Sequence, residues 1–303
     1  MTGAARLDRI RLVAARPERL AEFYQQAFGF VRSAPAPADL AKLMGMPGAT
    51  AQSLMLRLGG QKIELLGIHP FGSDFPLVPG WSPLFQHCAI VVSDMAAAYA
   101  RLGAQAGWTA ISQGGPQVLP PASGGVTAFK FRDPENHPLE LLAFAPGAVP
   151  APWQQAPTLA GEALGIDHSA ISVADTARST AFYAGLGLSR IGGSLNIGAA
   201  QERLDDVANV RVEVTALAPA VRRTPHVELL CYRGAYDRSG PAARANDAAA
   251  TALVFSMETR GALQSIVAQN EQACLDGPVL CEDGVSRALL RDPDGHFICI
   301  EGA

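Results

Sequence analysis

No stretch of this chain comes near the ~20 consecutive apolar residues that a membrane-spanning helix needs, although hydrophobic residues make up 49% of its 303 positions. The apolar content is therefore material for packed cores rather than for helical insertion into a bilayer, and no membrane partner is expected. Charge is scarce as well: charged residues are 17% of the total and the net charge is −4. A protein that grips nucleic acid by its phosphates shows a basic face, so no nucleic-acid partner is expected either. Cysteine is rare and unpatterned. Cys88, Cys231, Cys274, Cys281 and Cys299 are odd in number and include no CxxC pair, which argues against a disulfide scaffold. The first ten residues hold Arg6, Asp8 and Arg9 and lack the apolar centre of a secretory signal. A reduced, cytoplasmic protein is the expectation.

What the chain has in plenty is repetition. Arg132-Asp133-Pro134-Glu135-Asn136-His137 runs straight into the apolar strand Pro138-Leu139-Glu140-Leu141-Leu142, and the same object returns as Arg291-Asp292-Pro293-Asp294-Gly295-His296 before Phe297-Ile298-Cys299-Ile300-Glu301. The two copies stand 159 positions apart, as do Phe23-Tyr24 and Phe182-Tyr183, and Arg9 and His168. Several matches in one register make a tandem duplication, and a repeat fixes architecture before any single motif does.

Inside each copy the pattern divides again. Ile10 to Ala14 reads as a strand. Pro17, Leu20, Phe23, Tyr24 and Ala27 then follow at helical spacing, and Gly29 closes that helix. Leu54 to Leu58 and Lys62 to Ile68 complete a strand-helix-strand-strand-strand unit. Similar units start at His87, with Ser93 or Asp94 as a helix cap, at Ile166, with Asp175 as the cap, and at Thr251. The expected fold is α+β: four βαβββ modules forming two cup-shaped mixed β-sheets with helices on the outside. Residues 1–147 would hold modules 7–68 and 86–145. A Pro-rich linker covers 148–163, and residues 164–303 would hold modules 165–233 and 250–303.

Four βαβββ modules with Asp-Pro turns resemble the vicinal oxygen chelate superfamily. It includes glyoxalase I, the extradiol ring-cleaving dioxygenases and the bleomycin-resistance proteins. In that family a cup takes its metal ligands from the start of the first strand and from the last strand of each paired module. The resemblance therefore implies Arg9 and Glu64 from the first module, His87 and Glu140 from the second, His168 and Glu228 from the third, and Thr251 and Cys299 from the fourth, with Glu301 two residues beyond. Pairing neighbours would give two damaged ligand sets. Pairing the second module with the third gathers His87, Glu140, His168 and Glu228 in one cup. It leaves Arg9 and Glu64 to pair with each other in a cup that needs no metal. The exchanged pairing is the expectation.

The residue chemistry agrees. Glu140 and Glu228 lie inside apolar strands, where a carboxylate is costly unless paired or bound to metal. Two imidazoles and two carboxylates suit a divalent ion such as Zn, Ni, Co, Mn or Fe(II) with positions left open. His226, two residues before Glu228 and on the same strand face, is a substrate contact or a wall histidine. His137 and His296 are read as turn residues, and the connections 69–85 and 112–122 as the pocket rim. The resemblance implies a glyoxalase I-like lyase or isomerase acting by proton abstraction next to a chelated carbonyl. Glu140 would be the base and Glu228 its partner acid, with a thiol such as glutathione as a possible co-substrate. An Fe(II) extradiol dioxygenase and a non-catalytic binding protein like the bleomycin-resistance proteins are the alternatives. A monomer or homodimer binding a small molecule is expected in each case.

Overall fold

The computed structural model describes residues 6–34, 45–46, 48–154, 162–219, 224–281 and 283–302. The first unit contains β1 (Arg6–Val13), α1 (Pro17–Phe28), β2 (Val31–Ser33), β3 (Thr50–Leu58) and β4 (Gln61–His69). The second contains β5 (Gln86–Val92), α2 (Met95–Gly103), β6 (Thr109–Ala110), β7 (Gln117–Val118), β8 (Thr127–Arg132) and β9 (Pro138–Ala143). The third is β10 (Ala163–Ser172), α3 (Thr176–Gly185), β11 (Leu188–Ile197), α4 (Ala199–Asp205), β12 (Arg211–Pro219) and β13 (His226–Tyr232). The fourth is β14 (Ala252–Met257), α5 (Arg260–Gln269), β15 (Cys274–Leu280), β16 (Ser286–Arg291) and β17 (Phe297–Gly302). Helix signals in the sequence act where expected. Pro17 opens α1 and Gly29 ends it at φ 76°. The Asp94 carboxylate accepts the Ala97 N–H, and Asp175 accepts those of Ala177 and Arg178. Among the described residues no helix is long and apolar enough to cross a membrane.

The strands form two mixed sheets. One runs β15-β16-β17-β14-β1-β4-β3-β2 and the other β11-β12-β13-β10-β5-β9-β8-β6, with β7 also on β8. The first unit thus joins the fourth through antiparallel β1 and β14, and the second joins the third through β5 and β10. The exchanged pairing expected from the ligand count is the one adopted. Of the linker 148–163, residues 155–161 lie outside the described residues. The helices cover the convex faces, where Leu12, Phe23, Tyr24, Ile90, Phe131, Ile171 and Phe255 belong to one continuous core. Phe28 of α1 meets Phe131 of β8 at 6.0 Å between ring centres, so the convex sides of the two sheets share that core.

The Asp-Pro turns fasten one sheet to the other. Asp133 accepts Tyr24 Oη at 3.1 Å, and Asp292 accepts Tyr183 Oη at 3.0 Å. His137 and His296 do form part of these turns, but both are buried and reach further than turn residues need to. Their Nε2 atoms lie 3.0 Å from the Val13 carbonyl and 2.8 Å from the Ser172 carbonyl, respectively.

The cup shared by units one and four is closed by ion pairs. Arg9 Nε lies 2.7 Å from Glu64 Oε2, while its Nη2 lies 2.6 Å from Glu301 Oε1. Arg11 Nε reaches Glu64 at 3.0 Å, and Arg287 Nε reaches Glu301 at 2.9 Å. Apolar side chains including Leu66, Val254, Leu289, Phe297 and Cys299 fill the rest. Burial alone would raise the Glu64 carboxyl, but Arg11 and Arg9 outweigh it and bring it to about 2. Glu64→Leu should therefore cost stability on the order of 3–5 kcal/mol, because it strands buried guanidinium charge. Denaturant unfolding measures this, and a loss below about 1 kcal/mol would show that the network is dispensable.

Candidate metal and substrate site

The cup shared by units two and three is open. Strand register sets its floor. His168 on β10 stands beside Ala89 on β5, which stands beside Glu140 on β9; across the other edge of β10, His168 faces His226 on β13. One row along, His87 faces Ala170, and Ala170 faces Glu228. Alternate strand residues share a face, so His87, Glu140, His168, His226 and Glu228 all project into the cup. Ala89 and Ala170, both 0% exposed, separate them and put no bulk between the polar groups.

The polar groups converge. His87 Nε2 lies 3.1 Å from Glu140 Oε2, and His168 Nε2 lies 3.5 Å from Glu228 Oε2. The ligand atoms of His87, Glu140 and His168 all lie within 4.8 Å of one another, a group that could hold a metal ion. Asp167 Oδ2 holds His168 Nδ1 at 3.0 Å, and the Trp153 indole N–H donates to Asp167 Oδ1 at 3.0 Å. This fixes the ring of His168 with Nε2 toward the cavity, as a carboxylate behind a metal-ligating histidine does. His226 lies between Glu228, 3.5 Å from its Nε2, and Asp167, 3.8 Å from its Nδ1.

The fit to a cation rests on His87. Its side chain is 2% exposed, yet neither ring nitrogen has an aligned hydrogen-bond partner among the described residues. The Glu140 oxygen is near Nε2 but off the line a hydrogen bond requires. Buried polar nitrogens without partners are rare and costly, whereas lone pairs and carboxylate oxygens turned toward a common point are what a divalent ion requires. Electrostatics point the same way. Burial pushes the His87 imidazole down, which favours the neutral form that ligates. Burial would raise both carboxyls, but the His87 contact lowers Glu140, and His168 chiefly brings Glu228 to about 2. His168 is pushed down by burial and up more strongly by Glu228 and Asp167, to about 9.

A cavity of ≈ 440 Å³ opens over this floor. Beyond the ligand group its wall carries Lys130, Asp205, Gln201 and Tyr232, and its mouth carries Leu119, Val126 and Phe144. Leu119 and residues 121–124 rim it, in keeping with the expected role of the 112–122 connection. The 69–85 connection contributes nothing to the lining. It packs elsewhere: Phe71 and Leu84 lie against the filled cup, and Trp81 stacks on Tyr236 at 4.6 Å. Sequence reasoning missed Asp167, Lys130 and Asp205. A lone cation in Phe129-Lys130-Phe131 was the one available signal.

Residues 6–141 match the family model described as Glyoxalase/Bleomycin resistance protein/Dioxygenase superfamily. That part of the chain is similar to the members of this superfamily. The match ends inside β9, so it spans two units that lie in different sheets. Glyoxalase I from Zea mays has the same fold, with TM-score 0.63 and 16% identity, covering 99% of this chain and 92% of that one. A single-residue mutant of that maize enzyme gives TM-score 0.65 at 17% identity over the same shares. A putative dioxygenase from Bacillus subtilis gives TM-score 0.60 at 13% identity, covering 100% of this chain and 86% of the other. No curated protein matches the chain.

The fold thus carries one cup closed by ion pairs and one cup lined by histidines and carboxylates. In the second cup a metal held by His168 would displace the proton that Glu228 and Asp167 keep on that imidazole up to about pH 9. Metal binding near pH 7.5 should therefore release about one proton, and affinity should rise roughly tenfold per pH unit up to about 9 before levelling. Calorimetry in buffers of different ionisation enthalpy measures the proton count. Affinity that is flat from pH 6.5 to 9 would remove His168 from the ligand set.

Proposed function

We propose that the protein is a metal-dependent lyase or isomerase of the glyoxalase I kind, moving a proton next to a carbonyl of a small molecule. The observation that supports this reading is the presence of two carboxylates, Glu140 and Glu228, beside two histidines on one cavity, each carboxylate from a different strand. His87, Glu140, His168 and Glu228 would hold the ion. When bound, a divalent ion there supplies Lewis-acid polarisation of two adjacent substrate oxygens.

The chain's own groups supply the proton transfer. Glu140 is confined: its side chain is 8% exposed, with His87 at 3.1 Å and Lys130 at 4.0 Å. Glu228 is looser, with its side chain 21% exposed and its imidazole contacts at 3.5 Å. We assign the base to Glu228 and the anchoring role to Glu140, the reverse of the roles expected from sequence. A Glu228 oxygen takes the proton from the carbon next to the carbonyl. The electron pair of that C–H bond forms a carbon–carbon double bond, and the carbonyl π pair moves onto oxygen. Where the deprotonated carbon also bears a hydroxyl, the proton returns from Glu228 to the former carbonyl carbon with the electron pair of the double bond. The hydroxyl oxygen becomes the new carbonyl, and its proton passes to the former carbonyl oxygen, which completes an isomerisation. His226 steadies the other Glu228 oxygen, 3.5 Å from its Nε2.

One observation favours a second reading. The tight group of His87, Glu140 and His168 is two histidines and one carboxylate, the set that suits Fe(II) oxygen chemistry. Two variants and two substrates separate the readings. With methylglyoxal and a thiol such as glutathione, Glu228→Gln should retain metal and lose about 10²- to 10⁴-fold in the rate of solvent-deuterium exchange. Glu140→Gln should instead lose metal. If Glu140→Gln keeps the metal and loses the exchange, the two roles revert. Oxygen uptake with a catechol on the Fe(II)-loaded protein, without deuterium exchange, would establish the dioxygenase.

A further inference from the structure

Lys130 is a buried cation beside the group that would hold a cation. It stands directly opposite Glu140 in the β8/β9 ladder, on the same face. Its side chain is 5% exposed, and Nζ lies 2.6 Å from Asp205 Oδ1 and 4.0 Å from Glu140 Oε2. Asp205 is itself held in place. Its Oδ2 accepts Tyr232 Oη at 3.0 Å and Gln201 Nε2 at 2.8 Å, which leaves Oδ1 to Lys130. An ammonium has three donors, and among the described residues one of them is used, by Asp205. The remaining two sit in the cavity wall. In the filled cup, by contrast, Arg9 spends its donors on Asp8, Glu64 and Glu301.

A fixed positive charge next to a metal site weakens metal binding by repulsion. Hydrogen bonding of Asp205 Oδ1 alone does not require a charge here, because a neutral donor on β8 would reach that oxygen as well. The position is useful when negative charge appears on the bound molecule, since a preorganised donor in a dry cavity stabilises a forming oxyanion strongly. We propose that Lys130 binds the substrate oxygen that becomes negative, so that the cavity holds a bound molecule more tightly once one of its oxygens ionises. This deepens, and rests on, the proton-abstraction reading. When the carbonyl π pair moves onto oxygen, a Lys130 N–H donates to that oxygen and no proton needs to be transferred. Asp205, kept from the substrate by its three donors, is a positioning residue.

The test uses the zinc-loaded full chain and two probes. Acetohydroxamic acid offers two adjacent oxygens and binds metal as an anion, whereas imidazole binds metal as a neutral molecule. Lys130→Met should weaken acetohydroxamate binding about 10- to 100-fold. It should leave imidazole affinity unchanged and zinc affinity unchanged or tighter, and Lys130→Arg should restore part of the loss. If Lys130→Met fails to fold because Asp205 is left unpaired, Lys130→Met with Asp205→Asn removes both charges and carries the same expectation. Acetohydroxamate binding that survives the change would overturn the proposal. So would parallel loss of zinc, imidazole and hydroxamate, which marks a merely structural lysine. A wild-type protein that takes up no zinc would instead sink the metal-dependent reading on which this one stands.

Discussion

The two sheets depend on one kind of buried contact, a tyrosine hydroxyl on an aspartate carboxylate at the head of an Asp-Pro turn. Asp133 Oδ1 accepts the backbone N–H groups of Glu135 and His137, while Oδ2 accepts Tyr24. The turn therefore forms around the same carboxylate that docks α1. Asp292 repeats this with Asp294, His296 and Tyr183. The geometry has a topological reason. Units one and two are neighbours in sequence but lie in different sheets, as do three and four. Hydrogen bonding within a sheet cannot hold them together, so each pair is joined across the shared core. Glu135 adds bonds to the N–H groups of Ala15 and Arg16, and Asp294 adds bonds to Ala174 and Ser179.

Much of this was legible in the sequence because it is periodic. The Asp-Pro turns and the Phe-Tyr pairs recur 159 positions apart, and in the fold they touch. The duplication marked both halves of a contact without saying that it was one. The pairing of units was legible for a different reason. Glu64 and Glu140 occupy equivalent places in successive units, but Arg9 and His87 do not carry equivalent chemistry, and a buried carboxylate needs a partner of opposite charge. Counting the ligands that each pairing would collect, at the positions the family resemblance implies, was enough to choose the pairing.

What stayed hidden is long-range and aperiodic. Asp205 lies on a seven-residue helix and meets Lys130 across 75 positions. No local pattern announces such a meeting. Asp167 does recur in the repeat, 159 positions after Asp8, but the match does not reveal its role. Asp8 pairs with Lys62 and Arg9, while Asp167 holds His168 and receives the Trp153 indole. The connection 69–85 was misread because apolar loop residues fill a cup from above as readily as they rim one. Which of the two they do depends on whether the floor beneath is already occupied.

The two cups answer the same electrostatic problem differently. Each sheet turns carboxylates inward, and burial of an unpaired carboxylate is not tolerated. In the first cup the answer is built into the chain, since Arg9, Arg11 and Arg287 meet Glu64 and Glu301. In the second, among the described residues, Glu140, Glu228, Asp167 and Asp205 face a single ammonium, Lys130. A proton on His168 offsets part of the excess, which is why that imidazole is driven up to about 9. It is a poor substitute for a divalent charge placed among all the groups, because His168 answers Glu228 and Asp167 and leaves both nitrogens of His87 without aligned partners. A cup whose cation is an arginine has no vacancy for chemistry. A cup that leaves its carboxylates short of positive charge can take up a cation, release it, and share its field with a substrate.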